Sequence, residues 1–224
     1  MGGHFDTRIA SPHQITGEEI QFPAVRNHPT SLKIMERARM SNLRELTKDS
    51  HIAAERSPFV KVLFAGHINP ELYAIYLKNQ HSIYEILEVC AMPHGLFNGL
   101  PEIGRAAAIN EDFLELWGAD KEKQPPVLPV VHDYVKYISS IKDNPHRLMA
   151  HIYVRHMGDL SGGQMIAKRV PGSGKYYQFG GEPQKIKEAI RSKLEDEMAE
   201  EAKVCFSFAK RLFDEMMEIA KHYE

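Results

Sequence analysis

The stretch His151-Ile152-Tyr153-Val154-Arg155-His156-Met157-Gly158-Asp159-Leu160-Ser161-Gly162-Gly163-Gln164 puts three glycines inside a segment, about 145–168, that otherwise reads as helix. A glycine in a helix interior costs about 1 kcal/mol relative to alanine, so three of them need a compensating reason. Gly158 and Gly162 are four apart and share one helix face, which they strip of side chains. Backbone can then approach a flat object closely, and the helix can bend there. The same face also suits close helix–helix packing through small residues. The spacing alone leaves both readings open.

Leu160-Ser161-Gly162-Gly163-Gln164 also reproduces the signature of ATP-binding-cassette ATPases. That chemistry needs a phosphate-cradling G-x-x-x-x-G-K-[ST] loop ahead of the signature. Here Gly174-Lys175 comes after it, Arg169 stands where the first glycine belongs, and Tyr176 follows the lysine. The ATPase reading is discarded.

The rest of the chain reads as helices. From Thr30 or Ser31, Leu32, Met35, Leu43 and Leu46 recur at helical spacing, continuing to His51 and Ala54. Asn69-Pro70-Glu71 opens a second helix through Leu72, Ile75, Tyr76, Ile83, Ile86 and Leu87. Met92 to Pro101 is a Gly/Pro loop, helices follow near 102–117 and 127–141, and two more lie near 183–197 and 198–222. Tyr176-Tyr177-Gln178-Phe179 is at most a short extended piece. The expected fold is all-α and single-domain, with residues 1–30 an N-terminal extension and 31–224 the folded domain.

Composition narrows the function. A 43% hydrophobic, 26% charged chain is globular, and a net charge of -2 gives no argument for nucleic-acid binding. Cys90 and Cys205 belong to no zinc or disulfide spacing and are expected as reduced thiols. No apolar run is long enough to span a bilayer and no signal peptide pattern opens the chain, so no membrane anchor and a soluble, cytoplasmic protein are expected.

A flat ligand explains the bare glycine face if another helix supplies a metal ligand. Thr47, His51 and Glu55 are four apart and line one stripe. A ligating imidazole usually donates its second nitrogen to a carboxylate or carbonyl, and Glu55 is placed to accept it. Among 12 histidines, a His with Glu four residues later is weak evidence alone, and a surface ion pair is the plain alternative. His151 and His156 also remain candidates, although each would have to coordinate from the glycine helix itself.

Thr47-Lys48-Asp49-Ser50-His51-Ile52-Ala53-Ala54-Glu55, taken with Tyr153 to Gln164 about a hundred residues later, resembles the paired signature of haem oxygenases. The similarity extends weakly through Gly99 to Arg105, Asn110 to Asp112 and Lys187 to Phe213, covering residues from about 31 to 222. The resemblance implies a helical fold that sandwiches haem between a proximal helix and a kinked distal helix. His51 resembles the proximal iron ligand and Glu55 its hydrogen-bond partner. Gly158 and Gly162 resemble the distal glycines over the haem plane, and Asp159 the distal carboxylate that organises water there, with Arg155 one turn before it. Arg44, Lys187, Arg191 and Tyr153 match positions that hold the haem propionates, which need cationic or hydroxyl donors. Thr47 lies on the same stripe as His51, and Phe206 matches an apolar pocket position, with Phe213 further away.

Departures are modest: His156 replaces a common tyrosine, Met157 a leucine, Arg44 a frequent lysine and Ala209 a frequent asparagine. The implied reaction is oxidative cleavage of haem to biliverdin, carbon monoxide and ferrous iron, using O2 and externally supplied electrons. No flavin or nicotinamide fingerprint occurs, so a flavoprotein reductase or a ferredoxin is the expected electron donor. The alternative from another class is a non-catalytic haem-binding sensor or carrier on the same fold; the presence of Gly158 and Asp159 ranks it second. An iron-carboxylate bundle needs Glu-x-x-His pairs, and the chain has none.

Overall fold

The computed structural model describes residues 41–100, 103–118 and 123–223. Among them the regular elements are helical: α1 Leu43–Leu46, α2 Lys48–Glu55, α3 Pro58–Ala65, α4 Pro70–Ala91, α5 Ala106–Trp117, α6 Pro129–Ser140 and α7 Pro145–Gly158. A π-turn, Asp159–Gly163, joins α7 to the short α8, Gln164–Ile166; α9 Pro183–Arg191 and α10 Ala199–Ala220 complete the order. No described helix is long and apolar enough to cross a membrane.

Two helices form the interior, each with a run of residues buried on every side. In α4, Leu72 to Leu77 are all buried, and in α7 every residue from Leu148 to His156 is buried. A helix buried all round belongs at the centre of a domain. Helix α4 starts where Asn69 Oδ1 accepts the Glu71 amide at 2.8 Å and Pro70 occupies the first turn. Its buried Asn79 donates to the carbonyls of Ile75 and Pro126 and accepts the Leu128 amide at 2.8 Å, fastening the loop that enters α6. The amphipathic α10 then packs on α7, α2, α3 and α6, with Ala202, Cys205, Leu212 and Met216 at the contact. The helix that carries His51 and the helix that carries the glycines therefore share one scaffold.

Local chemistry adjusts the expected spans. The stretch 31–40 and the boundary at residue 30 lie outside the described residues. The helix through His51 is broken at Thr47, whose hydroxyl bonds the Leu43 carbonyl at 2.8 Å, and Leu46 is exposed rather than part of a buried stripe. Helix α3 was absent from the sequence reading: Pro58 opens it and Gly66, at φ 81°, closes it. Helix α5 begins at Ala106, not near 102, because the Glu88 carboxylate caps the amides of Arg105 and Ala106. The helix expected over 183–197 stops at Arg191. The extended piece expected at 176–179 is instead a 3-10 turn, Lys175–Tyr177.

Candidate active site

The glycine segment resolves into two different uses of glycine. A Cβ built on Gly158 or Gly162 meets no described atom within 4 Å. Helix–helix packing through this face would have placed atoms there, so among the described residues the face is open. Gly163 is the opposite case: a Cβ there would lie 2.7 Å from Tyr177 Cδ1. One glycine admits a tyrosine ring while the other two keep a surface clear.

Asp159, at the start of the π-turn, is buried at 7% exposure. The Tyr84 hydroxyl donates to its Oδ2, and the Tyr176 hydroxyl donates to its Oδ1 at 3.0 Å. Burial pushes this carboxyl up to about 7, against the opposing pull of the two phenols and of Arg155 and Arg105. The group sits near neutrality, able to hold or release a proton at physiological pH.

Tyr176 and Tyr177 are held by their backbone. Asp112 on α5 accepts the amides of Lys175 at 2.9 Å and Tyr176 at 2.8 Å, and Arg105 donates to the Tyr176 and Gln178 carbonyls. Gln164 Nε2 donates to the Tyr177 carbonyl at 2.9 Å and the Asp159 carbonyl at 3.3 Å. The last residue of the motif thus sews the tyrosine turn to the π-turn.

Arg155 is buried, with its guanidinium 5.0 Å from the Tyr134 ring centre. Its Nε and Nη2 have no hydrogen-bond partner among the described residues. Such donors require water or a ligand. His151 is fully engaged, with Nδ1 on the Tyr134 hydroxyl at 2.9 Å and Nε2 on Glu201 Oε1 at 2.8 Å. It therefore offers no nitrogen to a metal. Burial alone would raise the Glu201 carboxyl, but bonds from His151, Arg147 and Tyr137 win and hold it down to about 2. His156 is buried, bonds the Ile152 carbonyl at 3.0 Å, and is pushed down by burial to about 4. Both residues are structural.

His51 differs from these. Its side chain is 50% exposed, its Nε2 lies 3.4 Å from Glu55 Oε1, and its ring meets Phe206 edge-on at 5.6 Å. A 3.4 Å contact is long for a charge-assisted hydrogen bond, so the imidazole is available. One edge of this region is closed by Tyr153, which hydrogen-bonds Thr47 and lies within electrostatic reach of Arg44 and Arg191. Arg44 is exposed, whereas Lys187 and Arg191, four apart on α9, are half-buried. Among the described residues no contact ties Lys187 to the group. Phe213 stacks on Phe59, and Phe206 is the one beside His51.

A family model described as "Heme oxygenase" matches residues 38–215, a span that contains every site residue named above. The chain belongs to the haem oxygenase family. Heme oxygenase 1 of Homo sapiens is 29% identical to it, over 80% of this chain and 72% of the relative. The solved heme oxygenase of Leptospira interrogans is 30% identical with a TM-score of 0.67, over 77% of this chain and 97% of that one. Heme oxygenase-2 from Synechocystis sp. PCC 6803, solved in complex with heme and NO, is 26% identical with a TM-score of 0.71, over 81% of this chain and 86% of that one. This haem oxygenase family chain is accordingly an oxidoreductase of haem degradation, with the all-α fold expected.

Sequence reasoning missed Tyr84, Tyr176, Arg105 and Asp112. The tyrosines carried no local signal: Tyr84 is one of three buried tyrosines on α4, with Tyr73 and Tyr76, and although a buried phenol needs a partner, the partner lies far away in the chain.

Proposed function

We propose that the chain binds haem between α2 and the glycine face formed where α7 runs into the π-turn, and opens it to biliverdin, carbon monoxide and ferrous iron. O2 and electrons from an external donor, a flavoprotein reductase or a ferredoxin, are consumed. Haem is the substrate and supplies both the oxygen-activating iron and the macrocycle that is cut. The observation that carries this reading is the open face of Gly158 and Gly162 beside a carboxyl poised at about 7. A side-chain-free helix face is what a flat macrocycle needs, and a carboxyl near neutrality is what proton handling needs.

In this reading His51 ligates the iron through one ring nitrogen and Glu55 accepts from the other. Gly158 and Gly162 let backbone lie against the macrocycle. Asp159 holds water on the distal side through its carboxylate oxygens, and the unpartnered Nε and Nη2 of Arg155 donate to the same water. Arg44, Thr47, Tyr153, Lys187 and Arg191 fix the propionate edge and so the rotation of the ring, and Phe206 closes the proximal side. The exposed Arg44 and Lys48 offer cationic charge to the electron donor. We place the protein in the cytoplasm, with the haem-handling domain over 31–224 and residues 1–30 as its extension.

Incubation with haem, a generic reductant and O2 tests the reading. Decay of the Soret band into a biliverdin spectrum supports it. A Soret band that forms and persists under reductant and O2 would leave a haem sensor or carrier.

A further inference from the structure

Tyr176 stands out as a residue the reaction scheme does not use. It is 2% exposed, stacks on Tyr177 at 4.2 Å, meets Tyr84 edge-on at 5.8 Å, and puts its hydroxyl on Asp159 Oδ1. Its place is fixed from two sides by backbone bonds. Asp112 and Arg105 pin residues 173–178 to the start and middle of α5, with Ser173 Oγ also donating to Asp112 at 3.1 Å. Gly163 and Gln164 lock the same turn to the π-turn that carries Asp159. Such bracing is more than a ring filling space requires, because a phenylalanine would pack equally well without a hydroxyl to aim.

We propose that Tyr176 is a positioning residue: its braced phenol grips one oxygen of Asp159, fixes the carboxyl against Tyr84, and thereby sets the pH range over which the distal side works. This rests on the haem-cleaving reading of the site. The groups facing Asp159 come from every neighbouring element: Tyr84, Tyr76 and Tyr73 from α4, Arg105 before α5, Arg155 from α7, and Tyr176 and Tyr177 from the turn. Of these, the Tyr84 and Tyr176 phenols, followed by the Arg155 and Arg105 charges, favour the ionised carboxylate. Removing the Tyr176 donor must therefore make Asp159 harder to ionise.

The test compares wild type with Tyr176→Phe, using Tyr84→Phe as reference. In the haem-free protein, the Asp159 carboxyl carbon is titrated by NMR, with Asp159→Asn assigning the signal. The wild-type midpoint should lie near 7, and Tyr176→Phe should raise it by at least about half a pH unit. In the haem-loaded protein, the acid limb of biliverdin formation should move upward by the same interval. A residue that merely packs would lower the rate uniformly and leave that limb in place. An unmoved midpoint in folded Tyr176→Phe overturns the proposal, and so does a wild-type midpoint in the ordinary aspartate range, whether or not the variant folds. If wild type makes no biliverdin, the functional reading fails, while the haem-free titration still decides whether Tyr176 controls Asp159.

Discussion

The two walls of the site are built on opposite plans. On the distal side the charged groups are buried and most polar groups are already bonded: Asp159 between two phenols, the half-buried Gln164 on two carbonyls, Asp112 on two amides. On the proximal side His51 and Glu55 are 50% and 63% exposed and separated by 3.4 Å. Low dielectric makes misplaced polar groups costly, so the buried wall must be assembled during folding. The exposed wall bears no such cost and can complete its bonds when a ligand arrives. On the proposed function, proton handling is preorganised and iron capture is left to binding.

The contrast can be broken most severely at His51. His51→Ala should remove the histidine-ligated Soret signature and cut biliverdin formation by at least about 100-fold, given that losing outer-shell partners alone costs 10–100-fold. Its melting temperature should match wild type, since the ring is half exposed; a large loss of stability would contradict the division of labour.

Asp159→Asn should act on stability through pH. The native carboxyl ionises near 7 and the unfolded one near 3.8, so the folded state binds the proton more tightly. Wild type accordingly loses stability as pH rises from about 4 through about 7. Asparagine lacks this term, and the variant should gain on the order of 2 kcal/mol over wild type at pH 8 relative to pH 5. Urea unfolding of the haem-free proteins at the two pH values measures it; equal differences at both would show that Asp159 ionises normally.

Neighbouring glycines give opposite signs. Gly162→Leu should weaken haem uptake by about 10-fold, and Gly162→Ala should raise haem-free stability by up to about 1 kcal/mol, because its face is open. Gly163→Ala should destabilise by about 1 kcal/mol or more, since its Cβ would overlap Tyr177. Thermal melts with haem titrations separate the pair. The smallest effect belongs to Arg44→Ala: an exposed cation contributes about 0.5–1 kcal/mol, so haem affinity should fall only a few-fold, and less at high salt.

What the sequence revealed follows the same division. Helices α4, α6 and α10 were readable from Pro, Asn and apolar spacing, whereas four-residue intervals only raised His51, Glu55 and the bare glycine face as candidates and the family resemblance singled them out. These are local signals carried by one helix at a time. The tyrosine turn was not readable, because Tyr84 and Tyr176 are 92 positions apart and each looks like an ordinary core aromatic until Asp159 lies between them. Helix α3 was missed because its eight residues are too short to show periodicity. His151 and His156 stayed open as ligands because a helix pattern cannot show that both ring nitrogens of His151 are bonded or that His156 is wholly buried.

The π-turn at Asp159–Gly163 carries a consequence for length rather than identity. Such a turn spends one residue more per bond than its α-helical neighbours. Excising Ser161, an exposed serine, would let a continuous α-helix form and improve local hydrogen bonding. The helix beyond would keep nearly its present phase, because the wide turn already absorbs the extra residue, but Gly162 and Gly163 would lose their spacing from Asp159 and with it the seat that Gly163 gives Tyr177. A deletion at this point should therefore be far more damaging than any replacement of the same serine.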